Sequence, residues 1–236
     1  MRKIEGQRIA NFDRNISIKS VIYLHYRILQ ADIVDYVSKY FNGGRVLDLG
    51  AGNQPYRSLF DKTNIYVAVD IDSSNKQLDI VADNSTLPFT DNRFDFILCT
   101  QVLEHVSEPQ KLMNEVSRVM NEKAIFLLTC PMNWELHEKP YDYFRYTFYG
   151  IKYLADQAGL ELVESKEQGG AFAVAGQSIL NNKKLRFKRL LTPFVNVLFG
   201  YLDNIFYDPD NTLNYIFLFK KANSGTSGVN LQSNRP

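Results

Sequence analysis

The hydrophobic and polar positions of the chain first follow a helical period. Between residues 20 and 41, apolar side chains recur every three or four positions, as on one face of an amphipathic helix. The positions that form this stripe are Ile22, Tyr26, Leu29, Ile33, Val37 and Tyr40. Asn42, Gly43 and Gly44 come next, and they predict that the helix ends there.

After residue 44, short apolar runs alternate with helical patterns. Apolar runs without strict alternation suit strands that are covered on both faces. The pattern therefore predicts an α/β protein in which a parallel sheet lies between crossover helices. Strands are predicted over 45–50, 65–72, 78–83, 94–100 and 124–131, and helices over 108–120 and 148–158.

The end of the chain departs from this alternation. Two further strands, over 160–165 and 212–222, suit the arms of an antiparallel hairpin. The residues between them are too many for a turn, so 171–211 is interpreted as an insertion with its own helices. We expect one domain over 1–222, which begins with a helical cap over 1–45 and is followed by a polar, disordered tail over 223–236.

Composition and charge narrow the class of protein. Of the 236 residues, 45% are hydrophobic and 22% are charged, which is typical of a globular protein with a sizeable core. The formal net charge of +1 hides an uneven distribution. Residues 1–45 contain eight Lys or Arg and four Asp or Glu, and residues 183–236 contain eight and three. Residues 46–182 contain eleven Lys or Arg and nineteen Asp or Glu, so the middle of the chain is acidic and both ends are basic. The total charge gives no indication of a nucleic-acid partner.

The cysteines and the apolar stretches bear on the compartment. Cys99 and Cys130 each lie inside an apolar run, so we expect free, reduced thiols in a cytoplasmic protein. The N-terminus lacks the apolar region of a signal peptide, and no stretch reaches the roughly eighteen apolar residues that a membrane span requires. We expect no transmembrane segment.

Candidate chemistry is concentrated at the ends of the first three predicted strands. Residues 46–53 run from a hydrophobic strand into a Gly-Ala-Gly turn at 50–52, where missing Cβ atoms let a ligand approach the backbone. Asp70 ends the second strand, and its carboxylate can accept hydrogen bonds from both hydroxyls of a ribose. Asp83 and Asn84 end the third strand and can reach the edge of an adenine. Together these positions predict an adenosine-binding groove at the carboxyl edge of the sheet.

Dinucleotide sites follow the same plan, so details must discriminate. A dinucleotide site uses a third glycine three residues after the second, and this chain has Pro55 at that position. The sequence also lacks the Gly-x-x-x-x-Gly-Lys-Ser/Thr loop that holds nucleotide triphosphates. An adenosine ligand without phosphates fits better, and an NAD(P)-dependent oxidoreductase stays open as the alternative.

With these residues in place, the chain resembles the class I S-adenosylmethionine-dependent methyltransferases, in particular the UbiE/type-11-like small-molecule branch. The resemblance covers about residues 40–165. It implies a three-layer, Rossmann-like fold with a seven-stranded, mostly parallel sheet and an antiparallel last strand, and it implies S-adenosyl-L-methionine as the cofactor. The motifs that carry it are VLDLGAG at 46–52, Asp70, ADN at 82–84, LPF at 87–89 and VLEHV at 102–106.

The resemblance also implies the roles of individual residues. In this family the first strand end surrounds the methionine part of the cofactor, the second holds the ribose, the third binds the adenine, and the fourth lines the floor near the sulfonium. The residues implied at the methionine end are Asp48, Gly50, Ala51, Gly52 and Asn53. Asp70 is implied to hold the ribose, and Ile71 to pack on the adenine. Asp83 and Asn84 are implied to bind the adenine, and Gln101 to line the floor near the sulfonium.

Residues 131–147 resemble the lid that a subset of the same group places over the methyl acceptor. Within it, His137 is the candidate base that takes a proton from an acceptor hydroxyl. His105, in the Glu-His pair of the fourth motif, is the second candidate. Each histidine also has a plainer interpretation, His137 as a surface residue and His105 as an orienting hydrogen-bond donor.

Other polar residues of the lid have structural explanations. Thr147 suits the N-cap of the helix over 148–158. Asp142 and Arg145 can form a local ion pair. The three histidines of the chain form no His/carboxylate pair at ligand spacing on one helix, so we expect no metal site.

The absence of two nucleobase-methyltransferase motifs narrows the class of methyl acceptor. The amino-methylating enzymes of nucleobases carry Asn/Asp-Pro-Pro-Tyr/Phe where this chain has residues 100–103, and Cys130-Pro131 reverses the Pro-Cys pair of cytosine-C5 enzymes. Methylation of DNA bases is therefore disfavoured. We expect transfer to a hydroxyl of a small molecule or glycan by in-line displacement, in which positioning supplies most of the rate. A non-catalytic module that binds the cofactor is a further alternative.

The basic and apolar segment over 183–200 has two interpretations. In the first, its apolar residues pack the insertion onto the sheet. In the second, they contact an anionic membrane or a phosphorylated, lipid-linked glycan. We expect packing, because Pro193 and Gly200 should break a long interfacial helix.

Overall fold

The computed structural model describes residues 16–83, 86–182, 184–185 and 188–222, with the backbone alone at 188 and 189. Several sequence predictions fall outside these residues. They are the first fifteen positions of the cap, Asn84, much of the basic run over 183–189, and the tail over 223–236.

Helices and strands alternate along the described residues, close to their predicted positions. The helices are α1 (Tyr23–Tyr40), α2 (Pro109–Val119), α3 (Phe148–Gln157), α4 (Ala171–Asn181) and α5 (Lys188–Ile205). The strands are β1 (Gly44–Leu49), β2 (Thr63–Asp70), β3 (Ile80–Val81), β4 (Phe94–Thr100), β5 (Met120–Pro131), β6 (Leu160–Gln168) and β7 (Asn214–Lys221).

The described strands form one seven-stranded sheet in the order β3-β2-β1-β4-β5-β7-β6. Strands β1 to β5 pair in parallel, and β7 runs antiparallel to both of its neighbours, β5 and β6. The predicted fold class is confirmed. The carboxyl ends of β1, β2, β3 and β4 consequently meet at one edge of the sheet.

Successive residues of the central strands fill two different apolar layers. Leu47 lies in a layer with Met113 of α2 and Ile151 of α3, whereas its neighbour Val46 lies in the other layer with Ile33 of α1. All five side chains are fully buried. Helix α1 therefore covers one face of the sheet, and α2 and α3 cover the other.

Helices α4 and α5 follow β6 and precede β7 along the chain, and a buried carboxylate joins the two helices. Asp203 of α5 accepts hydrogen bonds from the backbone N–H of Gly170, at 2.9 Å, and from that of Ala173, also at 2.9 Å. These donors are at the N-terminus of α4, where N–H groups have no partner inside the helix. A side chain of α5 thus caps the neighbouring helix.

The expectation that Pro193 and Gly200 break this helix is wrong, because α5 runs continuously from Lys188 to Ile205. Proline in a helix removes one backbone hydrogen bond, and the tertiary contacts of α5 outweigh that loss. A Cβ on Gly200 would lie 3.5 Å from Leu24 of α1, which is an ordinary van der Waals distance, so the neighbouring helix does not require glycine at this position.

The expectation that the apolar residues of 185–199 pack onto the sheet is also largely wrong. Helix α5 buries a mostly polar face, on which Asn196 donates hydrogen bonds to the carbonyls of Ile18 at 2.6 Å and Ser20 at 2.9 Å. The opposite face is apolar and exposed, and we call it the α5 apolar face. Its members are Leu190, Phe194, Val197, Leu198, Tyr201 and Ile205, exposed by 36–79%.

We expect Asp203→Ala to lower the free energy of unfolding by about 2–3 kcal/mol, because it leaves buried N–H groups of α4 without an acceptor. Urea unfolding followed by circular dichroism measures the change. Asp156→Ala is the matched control, since Asp156 forms only an exposed ion pair with Lys152 and should cost about 0.5 kcal/mol or less. Equal effects of the two substitutions would contradict the capping role.

Candidate active site

The turn after β1 is held to the end of β2 by Asp70. The backbone N–H of Gly52 donates to one carboxylate oxygen of Asp70 at 2.9 Å, and that of Asp72 donates to the other at 3.0 Å. The carbonyl of Asp70 in turn accepts the N–H of Ala82, at the end of β3. These bonds bring the first three strand ends together, as the sequence predicts for a groove at this edge.

Both glycines of the turn have a positive φ, +67° at Gly50 and +50° at Gly52, which favours glycine. A Cβ on Gly50 would lie 2.2 Å from Cγ2 of Val102. The space beside Gly50 is therefore filled by a side chain that follows β4, whereas the sequence interpretation assigned it to an approaching ligand.

Asp48 is a buried carboxylate behind this turn. It is 2% exposed and accepts a hydrogen bond from the hydroxyl of Tyr66. Burial raises the pKa of Asp48 to about 7, and the Tyr66 hydrogen bond and Arg57 act in the opposite direction. Near neutral pH, Asp48 therefore exchanges between its charged and neutral forms.

The remaining residues of the predicted cofactor site differ in exposure. Ala51 is buried, Ile71 is half-buried, and Asn53 and Asp83 are exposed at the sheet edge. Gln101 has a positive φ of 55°, and its side-chain amide donates to the hydroxyl of Thr129 and to the amide oxygen of Asn214. These bonds hold Gln101 between β5 and β7.

The lid over 131–147 is organised by one bidentate ion pair. The guanidinium of Arg145 donates to both carboxylate oxygens of Asp142, at 2.6 and 2.8 Å, and also to the carbonyl of Glu135. Burial alone would raise the pKa of Asp142, but these bonds and the N–H of His137 lower it to about 2. The predicted ion pair thus holds the lid together.

The predicted N-cap of α3 is confirmed, since the side chain of Thr147 accepts a hydrogen bond from the N–H of Gly150.

The lid brings the two candidate histidines together. Nε2 of His137 lies 3.1 Å from Nε2 of His105. Burial lowers the pKa of His137, and the neighbouring His105 lowers it further. Nδ1 of His105 faces the carbonyl of Tyr141 at 2.9 Å, which fixes the orientation of that ring.

Glu104 adds a carboxylate that sequence reasoning did not assign to the site. It is fully buried, and neither of its carboxylate oxygens has a hydrogen-bond partner among the described residues. Burial raises the pKa of Glu104 to about 8. The ligand atoms of Glu104, His105 and His137 all lie within 4.8 Å of one another.

Helix α1 closes this cluster from the N-terminal side. His25 is buried with its ring 4.6 Å from that of Trp134 in the lid, and burial lowers the pKa of His25 to about 3. Burial also raises the pKa of Tyr26 to about 12, and the nearby carboxylates of Glu104 and Glu138 add to this effect. Sequence reasoning missed both residues because they lie within a helix whose regular apolar stripe indicated only packing.

The described residues form a Rossmann-like α/β domain whose first strand ends bear a glycine turn and two aspartates. Residues 47–128, about a third of the chain, match the family model described as a methyltransferase domain. An uncharacterized methyltransferase of Mycobacterium sp. (strain KMS) is 30% identical over 110 residues, which are 42% of this chain and 44% of that protein. Over these residues the chain is similar to the class I S-adenosylmethionine-dependent methyltransferases.

Solved structures show the same fold. A SAM-dependent methyltransferase from Archaeoglobus fulgidus has a TM-score of 0.57 at 15% identity, over 82% of this chain and 93% of that chain. The [4+2]-cyclase SpnF has a TM-score of 0.55 at 18% identity, over 84% and 82%. This chain spans less than half the length of the curated relatives it matches. None of the described helices is long and apolar enough to cross a membrane.

We expect Gly50→Ala to lower the free energy of unfolding by about 3 kcal/mol or more, because the new Cβ overlaps Val102 in addition to straining a positive φ. Gly159→Ala is the matched control: its φ is +69°, but a Cβ there meets nothing within 4 Å. Urea unfolding of both variants separates the contact from the strain. The double variant Gly50→Ala with Val102→Ala should lose less free energy of unfolding than the sum of the losses of the two single variants. A loss equal to that sum would contradict the contact.

Proposed function

We propose that this protein transfers a methyl group from S-adenosyl-L-methionine to a hydroxyl of a small molecule or glycan. The observation that carries the proposal is the turn at 50–52 held against Asp70, with Asp83 at the adjoining strand end. A carboxylate that already fixes a glycine turn is well placed to accept ribose hydroxyls, because each carboxylate oxygen has a further lone pair. The similarity to the methyltransferase family supports the same cofactor.

The resemblance to the methyltransferases supports the other assignments of the cofactor site. Asp48, Gly50, Ala51, Gly52 and Asn53 would surround the methionine end, and the carboxylate of Asp48 would attract its ammonium group. Ile71 would pack on the adenine, Asp83 and Asn84 would bind its amine, and Gln101 would lie below the sulfonium.

In the proposed reaction, the acceptor oxygen attacks the methyl carbon while the bond from that carbon to the sulfonium sulfur breaks. S-adenosylhomocysteine leaves, and the hydroxyl proton passes to His137 or His105. The histidine pair is close to the cofactor groove because Val102, which packs on Gly50, is only three residues from His105. The lid and α1 would exclude water from the reacting atoms.

The alternatives make different predictions about binding. An NAD(P)-dependent oxidoreductase would bind a nicotinamide dinucleotide, and Pro55 stands where such a site has its third glycine. A non-catalytic module would bind S-adenosylmethionine without turnover on any acceptor. The likeness to a cyclase shows that this fold is found in a protein named for another reaction.

We expect the full chain to bind S-adenosylmethionine and S-adenosylhomocysteine in isothermal titration calorimetry. Asp70→Ala should weaken binding at least tenfold, because it removes the ribose acceptor and releases the turn. Asp72→Ala is the matched control on the same loop, since its side chain bonds to Ser74 of that loop, and it should bind normally. Undiminished binding by Asp70→Ala, or binding of NAD(P) in place of S-adenosylmethionine, would overturn the assignment.

We further propose that the acceptor is phosphorylated and lipid-linked, and that the protein meets it on an anionic membrane. The specific observation is the α5 apolar face, which exposes Phe194 by 63% and Tyr201 by 62%. The basic sequence over 183–189 directly precedes this face. An apolar helical face beside basic residues is the pattern of an interfacial helix.

Co-sedimentation with phosphatidylglycerol vesicles tests this proposal, and phosphatidylcholine vesicles should bind less. Phe194→Ser with Tyr201→Ser should reduce binding about tenfold, because two apolar side chains no longer enter the interface. The control is Tyr149→Ser with Tyr153→Ser on α3, whose rings are 78% and 63% exposed. Equal binding by both double variants, or no binding by the parent chain, would contradict membrane contact.

A further inference from the structure

Three side chains that can bind a metal ion converge beneath the lid, namely Glu104, His105 and His137. Nε2 of His105 lies 3.1 Å from Nε2 of His137 and 3.9 Å from Oε1 of Glu104. In a tetrahedral zinc site with bonds of about 2.0–2.1 Å, neighbouring ligand atoms are about 3.3 Å apart. The two imidazole nitrogens are therefore close to the spacing that one divalent ion would impose, and all three ligand atoms lie within 4.8 Å of one another.

The second observation concerns the other nitrogen of each ring. Nδ1 of His105 faces the carbonyl of Tyr141 at 2.9 Å, and Nδ1 of His137 faces the carbonyl of Glu135 at 3.1 Å. A carbonyl only accepts, so these contacts favour a proton on each Nδ1. Both Nε2 atoms then direct a lone pair into the same space. Metal-bound histidines in proteins are oriented in this way, with the remote N–H donated to a carbonyl or carboxylate.

The third observation is the carboxylate of Glu104, which is fully buried without a hydrogen-bond partner among the described residues. An ionised carboxylate in such a position is unfavourable unless a cation compensates it. The nearest guanidinium, that of Arg145, is already bound to both oxygens of Asp142. A cation between Glu104 and the two histidines would supply the missing compensation.

We propose that Glu104, His105 and His137 bind one divalent transition-metal ion of the zinc type. Two imidazoles and one carboxylate leave an open coordination position, which is the arrangement of catalytic rather than structural zinc sites. Glu138, whose Oε2 lies 4.0 Å from Nε2 of His105, is the nearest further carboxylate that could complete the set. Asp142 and Arg145 act as positioning residues that hold His137 in place.

The binding of the ion is independent of methyl transfer, whereas its chemical role rests on the proposed function. At the open position the ion would bind the acceptor hydroxyl and lower its pKa. The two histidines would then hold the ion instead of accepting the proton, and the deprotonated acceptor oxygen would attack the methyl carbon as the bond from that carbon to the sulfonium sulfur breaks. The proton released from the hydroxyl would pass to solvent or to Glu138.

The test uses the full chain after treatment with a chelator and gel filtration. Isothermal titration with Zn²⁺ should give one ion per chain, and Co²⁺ should give the visible absorption bands of a protein-bound cobalt site. His137→Ala and Glu104→Gln should each weaken Zn²⁺ binding at least tenfold. Glu135→Gln is the matched control, because its exposed side chain is altered in the same loop while its backbone carbonyl stays.

A measurement on the parent chain covers the case in which Glu104→Gln does not fold. Zn²⁺ that binds only the folded state should raise the urea midpoint of the unaltered protein, and the rise should be absent in His137→Ala. Absence of Zn²⁺ and Co²⁺ binding by the parent chain, or unchanged binding by His137→Ala, would overturn the metal site. The two proposals are tested with different ligands: S-adenosylmethionine binding by Asp70→Ala tests the cofactor site, and Zn²⁺ binding by His137→Ala tests the metal site. One proposal can therefore fail without the other.

Discussion

The hydrogen bond from the backbone of Gly52 to the carboxylate of Asp70 fixes the geometry on which the cofactor groove depends. It joins the turn after β1 to the end of β2, and the carbonyl of Asp70 extends the connection to Ala82 after β3. Since parallel strands present their carboxyl ends at one edge, these bonds suffice to place three strand ends around a single ligand. The chain's own hydrogen bonds therefore hold these three strand ends together.

A second constraint couples this groove to the acceptor side. Val102 fills the space that Gly50 leaves, and the backbone then continues within three residues to His105. The carbonyl of Glu104 accepts the N–H groups of Tyr143 and Phe144, so the same short segment also anchors the lid. This short segment thus sets the distance between the turn at Gly50 and the histidine pair.

The sequence predicted best what depends on local periodicity and on strand ends. The β-strands, the antiparallel last strand and the N-cap at Thr147 follow from patterns within a few residues. The proximity of Glu104 to His137 could not be predicted from the sequence, because a helix and a strand separate the two residues along the chain. They come together only when the lid folds back. The continuity of α5 through Pro193 also depends on tertiary contacts that local propensity does not contain.

Helix α5 shows why an apolar stripe does not by itself identify the buried face. Its stripe suggested packing, yet the fold buries Asn196 and Asp203 because their side chains satisfy backbone groups of the N-terminal segment and of α4. The N–H groups of Gly170 and Ala173 would otherwise be buried without a partner, at a cost comparable to that of exposing a large apolar side chain. Burying the polar face and leaving the apolar face in contact with solvent is therefore a consistent solution, and it concentrates Leu190, Phe194 and Tyr201 on one surface.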